Sequence, residues 1–326
     1  MDIRAFLRPI GLTEPQLRSL GDEIRAGARY SKRRVRKRHG GYRDIAVPDV
    51  ELKAALKLLR IRLECVLPYE APDMVFGYVA GRSIVDNASQ HLGQACVVCV
   101  DLVDFFGAIN GRRLESALLS QGLAEDLVQL LLPILVVDDS TPPGFSTSPM
   151  LSNVVFEATD RALEELAGEQ RVRYSRYADD LTFSGQHVDD SLVARVDAVL
   201  LRQGWVLNPR KTRFMRRGGP QYVTGLYVGD AARPHVPRRI KRRLRAWFHY
   251  IGEFGYSDCE ARVALPSGRQ LEGWLRHVNQ VNPEVVRSIV NDLGHSDLHV
   301  AFGAMGLELK GPPRDDWDEL LGELGL

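Results

Sequence analysis

Apolar positions change period several times along this chain, and each change marks an element. Leu17, Leu20 and Ile24 recur at helical spacing, with Thr13 and Gln16 set for a capping box ahead of them, so residues 1–29 read as short helices. Residues 30–48, "YSKRRVRKRHGGYRDIAVP", hold a Gly-Gly turn between two strand-like arms and predict a hairpin. Over residues 50–67, Leu52, Leu56, Leu59, Leu63 and Val66 line one helical face, and Pro68 stops it. "GRSIVDNASQHLGQ" leads from a loop into a further helix. "ACVVCVDLVDFF" (95–106) is a continuous apolar run closed by aspartate, the pattern of a buried strand. Helical spacing returns over 113–121 and 124–135, and "VDDSTPPGFSTSP" separates these from a long helix over 150–167 whose start Pro149 marks. "RYADDLTFSG" (176–185) predicts a strand hairpin, because Tyr174, Tyr177, Leu181 and Phe183 are strand-type residues. A helix over 191–203, short strands around a Gly-Gly-Pro turn, and a mainly helical stretch after Pro237 complete the pattern, with no internal repeat. Strands and helices mix without regular βαβ alternation, which predicts an α+β fold.

Composition adds limits. The 326 residues suit one large domain or two to three subdomains, and 44% hydrophobic with 26% charged residues is ordinary for a soluble globular chain. No apolar run approaches the ~20 residues that span a bilayer, so no membrane partner is expected. The N-terminal "MDIRAFLRPIGL" lacks a signal-peptide pattern, and the four cysteines accord with a reducing compartment, so the expected location is cytoplasmic. Cys96 and Cys99 form a C-x-x-C, but within a strand they point to opposite faces and read as core thiols.

The net charge of +1 hides an uneven distribution. Residues 25–43 are heavily basic with no acid, and residues 210–245 are basic again with Asp230 the only acid, while "RDDWDELLGEL" near the C-terminus is acidic. Two such zones point to a partner with a phosphate backbone more than to solvated helix faces. The shift near residue 231 marks an expected boundary between a mixed domain and a helical one.

Two adjacent aspartates, Asp179 and Asp180, sit at the turn of an otherwise apolar hairpin, and Asp101 ends the apolar strand. If those strands are neighbours, three carboxylates converge at one sheet edge, where each would raise the others' pKa. A pair of divalent cations removes that difficulty. Mg²⁺ is hard and oxygen-seeking, and two such ions suit phosphoryl transfer. The other acidic pairs, Asp138–Asp139 and Asp189–Asp190, read as solvated turn residues.

At these residues the chain resembles a reverse transcriptase. "YADD" (177–180) matches that family's catalytic hairpin, "VDLVDFFGAIN" (100–110) its first metal-binding motif, and "PPGFSTSPMLSN" (142–153) the loop and helix beneath nucleotide and template. "LNPRKTRF" (207–214) matches its downstream lysine motif and "KRHGGYRDIAVPDVELK" (37–53) its fingers hairpin. "NASQH" (87–91) and "VTG" (223–225) resemble two hallmarks of the bacterial retron branch, and "GWLRHVNQVNP" (273–283) with the basic helix before it resembles the retron thumb.

The resemblance implies a right-hand polymerase: an N-terminal extension over 1–29, fingers over 30–95 and 112–145, a palm of antiparallel sheet and helices over 96–111 and 146–230, and a mainly helical thumb over 231–326. It implies that Asp101, Asp179, Asp180 and the Leu102 backbone carbonyl hold two Mg²⁺ ions, with Mn²⁺ as a substitute. Lys211 would stand near the pyrophosphate. Arg43, with Lys37 or Arg38, would grip the triphosphate, guanidinium forks suiting phosphate oxygens. Phe106 would be a steric gate beneath the sugar, with Phe105 beside it. Asp104 would bind triphosphate or cap the strand end, and Gly144 would let the backbone approach the nucleotide. Nucleic acid would be met by Asn87, His91, Ser148, Pro149, Asn153, Tyr177, Val223, Thr224, Gly225, Arg239, Arg242 and Arg243. His91 fits a structural histidine bonded to the Asn87 backbone and an RNA contact equally well. Tyr78, Trp247, Phe248, Tyr250 and Trp274 could stack on bases, although core positions are the commoner fate of such rings.

The implied partners are deoxynucleoside triphosphates, a cognate noncoding RNA as template and primer, its DNA product, and an effector protein of the same operon. The implied activity is RNA-directed DNA synthesis, primed from an RNA 2′-hydroxyl to give branched RNA–DNA and serving antiphage defence. The alternatives are a non-retron defence polymerase with self-primed or untemplated synthesis, and an inactive RNA-binding scaffold. One departure stands out: Pro143 occupies the position before Gly144 where the family usually has glutamine, so nothing can be bound there through an amide side chain.

Overall fold

The computed structural model describes residues 2–36, 41–256, 259 and 265–289. The chain divides into two compact units, Met1–Gly219 and Pro220–Leu326.

In the first unit the N-terminus forms α1 (Ile3–Leu7) and α2 (Glu14–Arg25). Thr13 and Gln16 make the expected capping box on α2, whose Leu17, Leu20 and Ile24 are buried. The basic hairpin is present as β1 (Tyr30–Arg36) and β2 (Tyr42–Pro48), antiparallel, with Tyr30 opposite Pro48. Next, α3 (Val50–Val66) starts at Asp49, whose carboxylate accepts from the Leu52 amide, and buries Leu52, Ala55, Leu56, Leu59 and Leu63. Leu67 is forced extended (ψ 131°) by the following Pro68, and the helix ends there. A short α4 (Ile84–Ser89) precedes β3 (Cys96–Asp101), of which all but Cys96 is buried.

Two helices, α5 (Gly111–Ser120) and α6 (Glu125–Leu135), lead to the long α7 (Ser148–Glu169). The start of α7 lies two residues before the expected one, because Pro149 falls in the first turn, where a helix needs no amide hydrogen. β4 (Arg173–Tyr177) and β5 (Asp180–Gly185) form the "YADD" hairpin, followed by α8 (Asp190–Arg202) and β6 (Arg213–Arg216). The four strands make one sheet in the order β4-β5-β3-β6, and every pairing is antiparallel. The core of this unit runs from Phe6 and Leu17 through the α3 leucines to Val98, Val100, Leu181, Phe183 and Trp205. The expected α+β class and antiparallel palm sheet are what the chain adopts.

In the second unit, β7 (Tyr222–Val223) and β8 (Leu226–Tyr227) pair around Thr224 and Gly225, both at positive φ (46° and 82°). That is the backbone a two-residue hairpin turn demands, and it is why a glycine stands third in "VTG". α9 (Arg238–Phe254) buries Leu244, Phe248 and Ile251, and α10 (Gly268–Val281) buries Leu271, Leu275, Val278 and Val281. The connection into α9 is pinned by polar groups: His235 Nε2 pairs with Asp230 (2.7 Å), and Asn282 Oδ1 accepts from the Val236 amide (2.8 Å). Among the described residues no helix is long and apolar enough to cross a membrane.

Candidate active site

The register of β3 on β5 assembles the acidic residues. Cys96 faces Gly185 and Val100 faces Leu181, which puts Asp101 directly opposite Asp180. Such cross-strand partners lie about 4.5–5.5 Å apart at Cα. A slip of one residue would turn every side chain to the other face; both faces are buried, so it would drive Thr182 and Ser184 into the apolar space that Leu181 and Phe183 fill. Asp179 occupies the adjoining two-residue turn with Ala178, whose φ is 59°.

Electrostatics follow from this crowding. Burial, and after it the Asp101 charge, push the Asp179 carboxyl up. Asp180 is open to solvent at the cleft, yet the surrounding protein and then the Asp179 and Asp101 charges push its pKa up to about 6. Lys211 answers part of this repulsion: its Nζ donates to both Asp101 oxygens, at 2.9 and 2.8 Å. The Leu102–Leu207 bridge uses the flanking Asp101 carbonyl and Val103 amide, so Leu102's own carbonyl turns to the β5 side. Asp179 and Asp180, crowded until their pKa values rise, are oxygen donors of the kind that suits hard divalent cations. Among the described residues no three acidic, histidine or cysteine side chains stand ready to coordinate a metal; both Asp101 oxygens are engaged by Lys211.

The turn is held from behind by a buried polar network that sequence reading did not anticipate. Arg176, wholly buried, donates from Nε and Nη2 to the equally buried Asp160, at 2.8 and 2.6 Å. Its Nη1 donates to Asn153 Oδ1 (3.0 Å) and to the Ala178 carbonyl (3.1 Å), and the Tyr174 hydroxyl donates to Asp160 (2.8 Å). Asn153 Nδ2 in turn donates to the Gly77 carbonyl (3.0 Å). A Cβ at Gly77 would overlap the Ala178 backbone nitrogen, so only glycine lets the 74–77 segment lie against the turn. The left-handed Ala178 costs about 1–2 kcal/mol, and this network offsets it. A charged residue inside a strand and a glycine between two aromatics were the only traces in the sequence.

The remaining predicted residues are distributed as follows. Arg43 is exposed on β2, opposite Val35, and its charge reaches Asp179. Lys37 and Arg38 lie outside the described residues. Phe106 is half-buried and rests edge-on against Phe105 (5.4 Å), which is buried and stacked on Trp205 (5.4 Å). The Asp104 carboxylate folds over Gly107, where a Cβ would collide with it. At Gly144 φ is 112°, and a Cβ there would run into the Ala46 carbonyl oxygen. This glycine therefore brings the loop onto β2, and the Pro143 carbonyl accepts from the Ala46 amide (2.9 Å). Proline at 143 thus keeps the backbone bond that docks the loop.

His91 is fully buried between Ser184 Oγ and Ser175 Oγ, each at 2.7 Å, rather than on the Asn87 backbone, and burial pushes its pKa down to about 3. Neither ring nitrogen faces solvent. Asn87 is buried, and its Oδ1 has no hydrogen-bond partner among the described residues. Ser148 donates to the Pro142 carbonyl (2.7 Å), Pro149 is half-buried at the start of α7, and Tyr177 is half-buried opposite Asp180. In the second unit Val223 is buried beneath the Thr224–Gly225 turn, and Arg239, Arg242 and Arg243 are exposed on α9. Of the aromatics, Phe248 is core, Trp247 and Trp274 are half-buried, and Tyr250 and Tyr78 are exposed.

An antiparallel sheet carrying paired acidic residues on adjacent strands, with a lysine from the next strand's approach, defines a palm of the polymerase kind. The chain belongs to the reverse transcriptase family: the family model "Reverse transcriptase (RNA-dependent DNA polymerase)" matches residues 35–249. Within that family it is similar to retron reverse transcriptases. It is 34% identical over 325 residues to the retron Mx162 reverse transcriptase of Myxococcus xanthus, covering 89% of this chain and 66% of that protein. It is 34% identical over 272 residues to the Mx65 enzyme of the same organism, covering 77% of this chain and 61% of that protein. It is 30% identical over 268 residues to the retron Ec73 reverse transcriptase of Escherichia coli, covering 76% of this chain and 82% of that protein. The chain thus spans 66% and 61% of the two Myxococcus relatives' lengths.

Proposed function

We propose that this protein is a cytoplasmic, retron-type RNA-directed DNA polymerase that copies part of a cognate structured noncoding RNA into DNA. The observation that carries the reading is the register that sets Asp101 against Asp180, with Asp179 in the adjoining turn. Asp101, Asp179, Asp180 and the Leu102 carbonyl are the groups that would hold two Mg²⁺ ions, or Mn²⁺ in their place. Such ions supply activation of the attacking hydroxyl and stabilisation of the leaving oxygen.

The chain's own residues do the rest. Arg43, with Lys37 or Arg38, grips the triphosphate. Lys211 carries a positive charge beside Asp101, placed to balance charge on the departing pyrophosphate. Phe106 sets the floor under the sugar. Ser148, Pro149 and Asn153 shape the start of α7 beneath the template through bonds inside the protein, and the exposed arginines of α9 follow the duplex backbone. In this reading residues 30–95 and 112–145 are fingers, 96–111 and 146–230 palm, and 231–326 thumb. Priming from an RNA 2′-hydroxyl, a branched RNA–DNA product and an effector protein in antiphage defence belong to the same proposal, supported by similarity to retron enzymes.

The test is primer extension on an RNA template with Mg²⁺. Wild type extends with deoxynucleotides, and Asp179→Ala combined with Asp180→Ala abolishes extension while the melting transition persists. Undiminished extension by the double variant would refute the carboxylate assignment. Nucleic acid that co-purifies with the protein should contain a branched RNA–DNA; a linear DNA bearing a self-primed end would favour the non-retron reading instead.

A further inference from the structure

Tyr78 belongs to none of the motifs above, yet it stands where three of them meet. Its backbone adopts φ 63°, a left-handed conformation that a bulky aromatic residue seldom takes. The side chain is 45% exposed, so core packing does not account for its position. The residue before it is clamped: Gly77 lies against Tyr177 and Ala178, and its carbonyl accepts from Asn153. The Tyr78 Cα is therefore fixed relative to the "YADD" turn. Strained backbone held by surrounding structure is the mark of a position kept for its side chain's placement.

The ring points to a definite neighbour. Its centroid is 6.2 Å from that of Phe106, at an angle of 48°. Phe106 rests on Phe105, and Phe105 on Trp205. Four rings thus run in a row from the core to the surface, and Tyr78 is the outermost. Protein packed around the half-covered ring, and after it the Asp179 charge, holds the Tyr78 phenol above its ordinary range, and the Arg43 guanidinium opposes them. Phe106, Asp179 and Arg43 come from three separate segments of the chain, and all three act on Tyr78. Pro143 provides no amide side chain there, so more of the nucleotide's surroundings falls to other residues.

We propose that Tyr78 is a specificity-determining residue that forms, with Phe106, a two-ring corner against which the sugar of the incoming nucleotide packs. The inference rests on the reading of this cleft as a deoxynucleotide site. Two tilted apolar faces meeting at that separation leave a concave corner. A ribose 2′-hydroxyl pushed into it loses hydration without finding a partner, whereas a deoxyribose carbon is accommodated. One ring alone leaves the corner open on one side.

The experiment compares kcat/KM for dGTP and GTP in templated extension by wild type, Tyr78→Phe, Tyr78→Ala, Phe106→Ala and the Tyr78→Ala/Phe106→Ala pair. Equilibrium binding of dGTP and GTP in the presence of Mg²⁺ gives a readout independent of chemistry. Tyr78→Ala should reduce the preference for dGTP by about tenfold or more, the scale set by removing an apolar group from a pocket wall, while Tyr78→Phe retains it. The two alanine effects should be less than additive, because both rings meet one sugar. The proposal falls if Tyr78→Ala keeps the wild-type ratio, if it lowers both substrates equally, or if Tyr78→Phe loses as much as Tyr78→Ala. A shift with Phe106→Ala and none with Tyr78→Ala would overturn the role of Tyr78 alone. Wild type that neither extends nor binds dGTP would overturn the underlying reading and the corner with it.

Discussion

Arg176 makes four side-chain hydrogen bonds with no exposed surface. Two go to Asp160, one to Asn153 and one to the strained Ala178 carbonyl, so a single guanidinium ties α7 to the turn that bears Asp179. Taking one partner from a buried ion pair leaves an uncompensated charge and costs about 3–5 kcal/mol. Arg176→Met should therefore destabilise the protein on that scale in urea unfolding, and Arg176→Met with Asp160→Leu should cost less than the two single changes summed. Arg176→Lys keeps the charge but loses the planar fork. It should lower kcat for extension while much of the stability remains. Neither partner announced its role in the sequence: an arginine in a strand reads as solvent-facing, and Asp160 lies 16 residues away on another element.

The β4–β5 hairpin is also tied from outside its own strands. His91, just beyond α4, bridges Ser175 on β4 and Ser184 on β5. Burial holds its pKa at about 3, below the ordinary 6.5, so the folded state keeps the ring neutral. Below pH 6.5 the unfolded chain takes up a proton that the folded one refuses. Stability from this group is thus complete above about pH 6.5 and falls as pH drops towards 3, by about 1.4 kcal/mol per pH unit at full slope. His91→Gln should flatten that part of the profile, seen as a smaller change in urea midpoint between pH 7 and pH 4.5 than wild type shows. At this scale much was legible. The hairpins, the α3 face and the Thr13 capping box lie where apolar spacing and capping residues put them, because those signals act over a few residues. The start of α7 was displaced because Pro149 marks the first turn and not the boundary.

Across the whole molecule the net charge of +1 conceals two concentrated basic surfaces. β1 and β2 present Arg33, Arg36 and Arg43 to solvent, and α9 presents Arg239, Arg242 and Arg243 opposite a buried face of Leu244, Phe248 and Ile251. Arginines exposed on a helix whose other face is apolar can meet a phosphate backbone, as the proposed role requires, without weakening the core. Replacing Arg239, Arg242 and Arg243 by Gln should weaken binding of an RNA–DNA duplex. The slope of log K against log salt, followed by fluorescence anisotropy, should flatten by up to about 0.9 for each phosphate that is no longer neutralised. An unchanged slope would place the duplex elsewhere. Charge clustering is visible in sequence, since it needs only adjacency along the chain; that these arginines share one exposed face needed the helix.

By itself the sequence settled element types, the α+β class, the aspartates worth watching and the family they belong to, since these rest on spacing and motif within short windows. Only tertiary structure decided that Asp101 faces Asp180, that Lys211 sits on Asp101 from 110 residues away, and that His91 reaches Ser184 across 93. It also decided that Gly144 is needed against β2 and that Tyr78 stands beside Phe106. Local patterning selects a helix or a strand from steric and apolar preferences a few residues wide. Strand register and buried polar pairing join residues far apart in the chain, and those are chosen by the packing of the whole core.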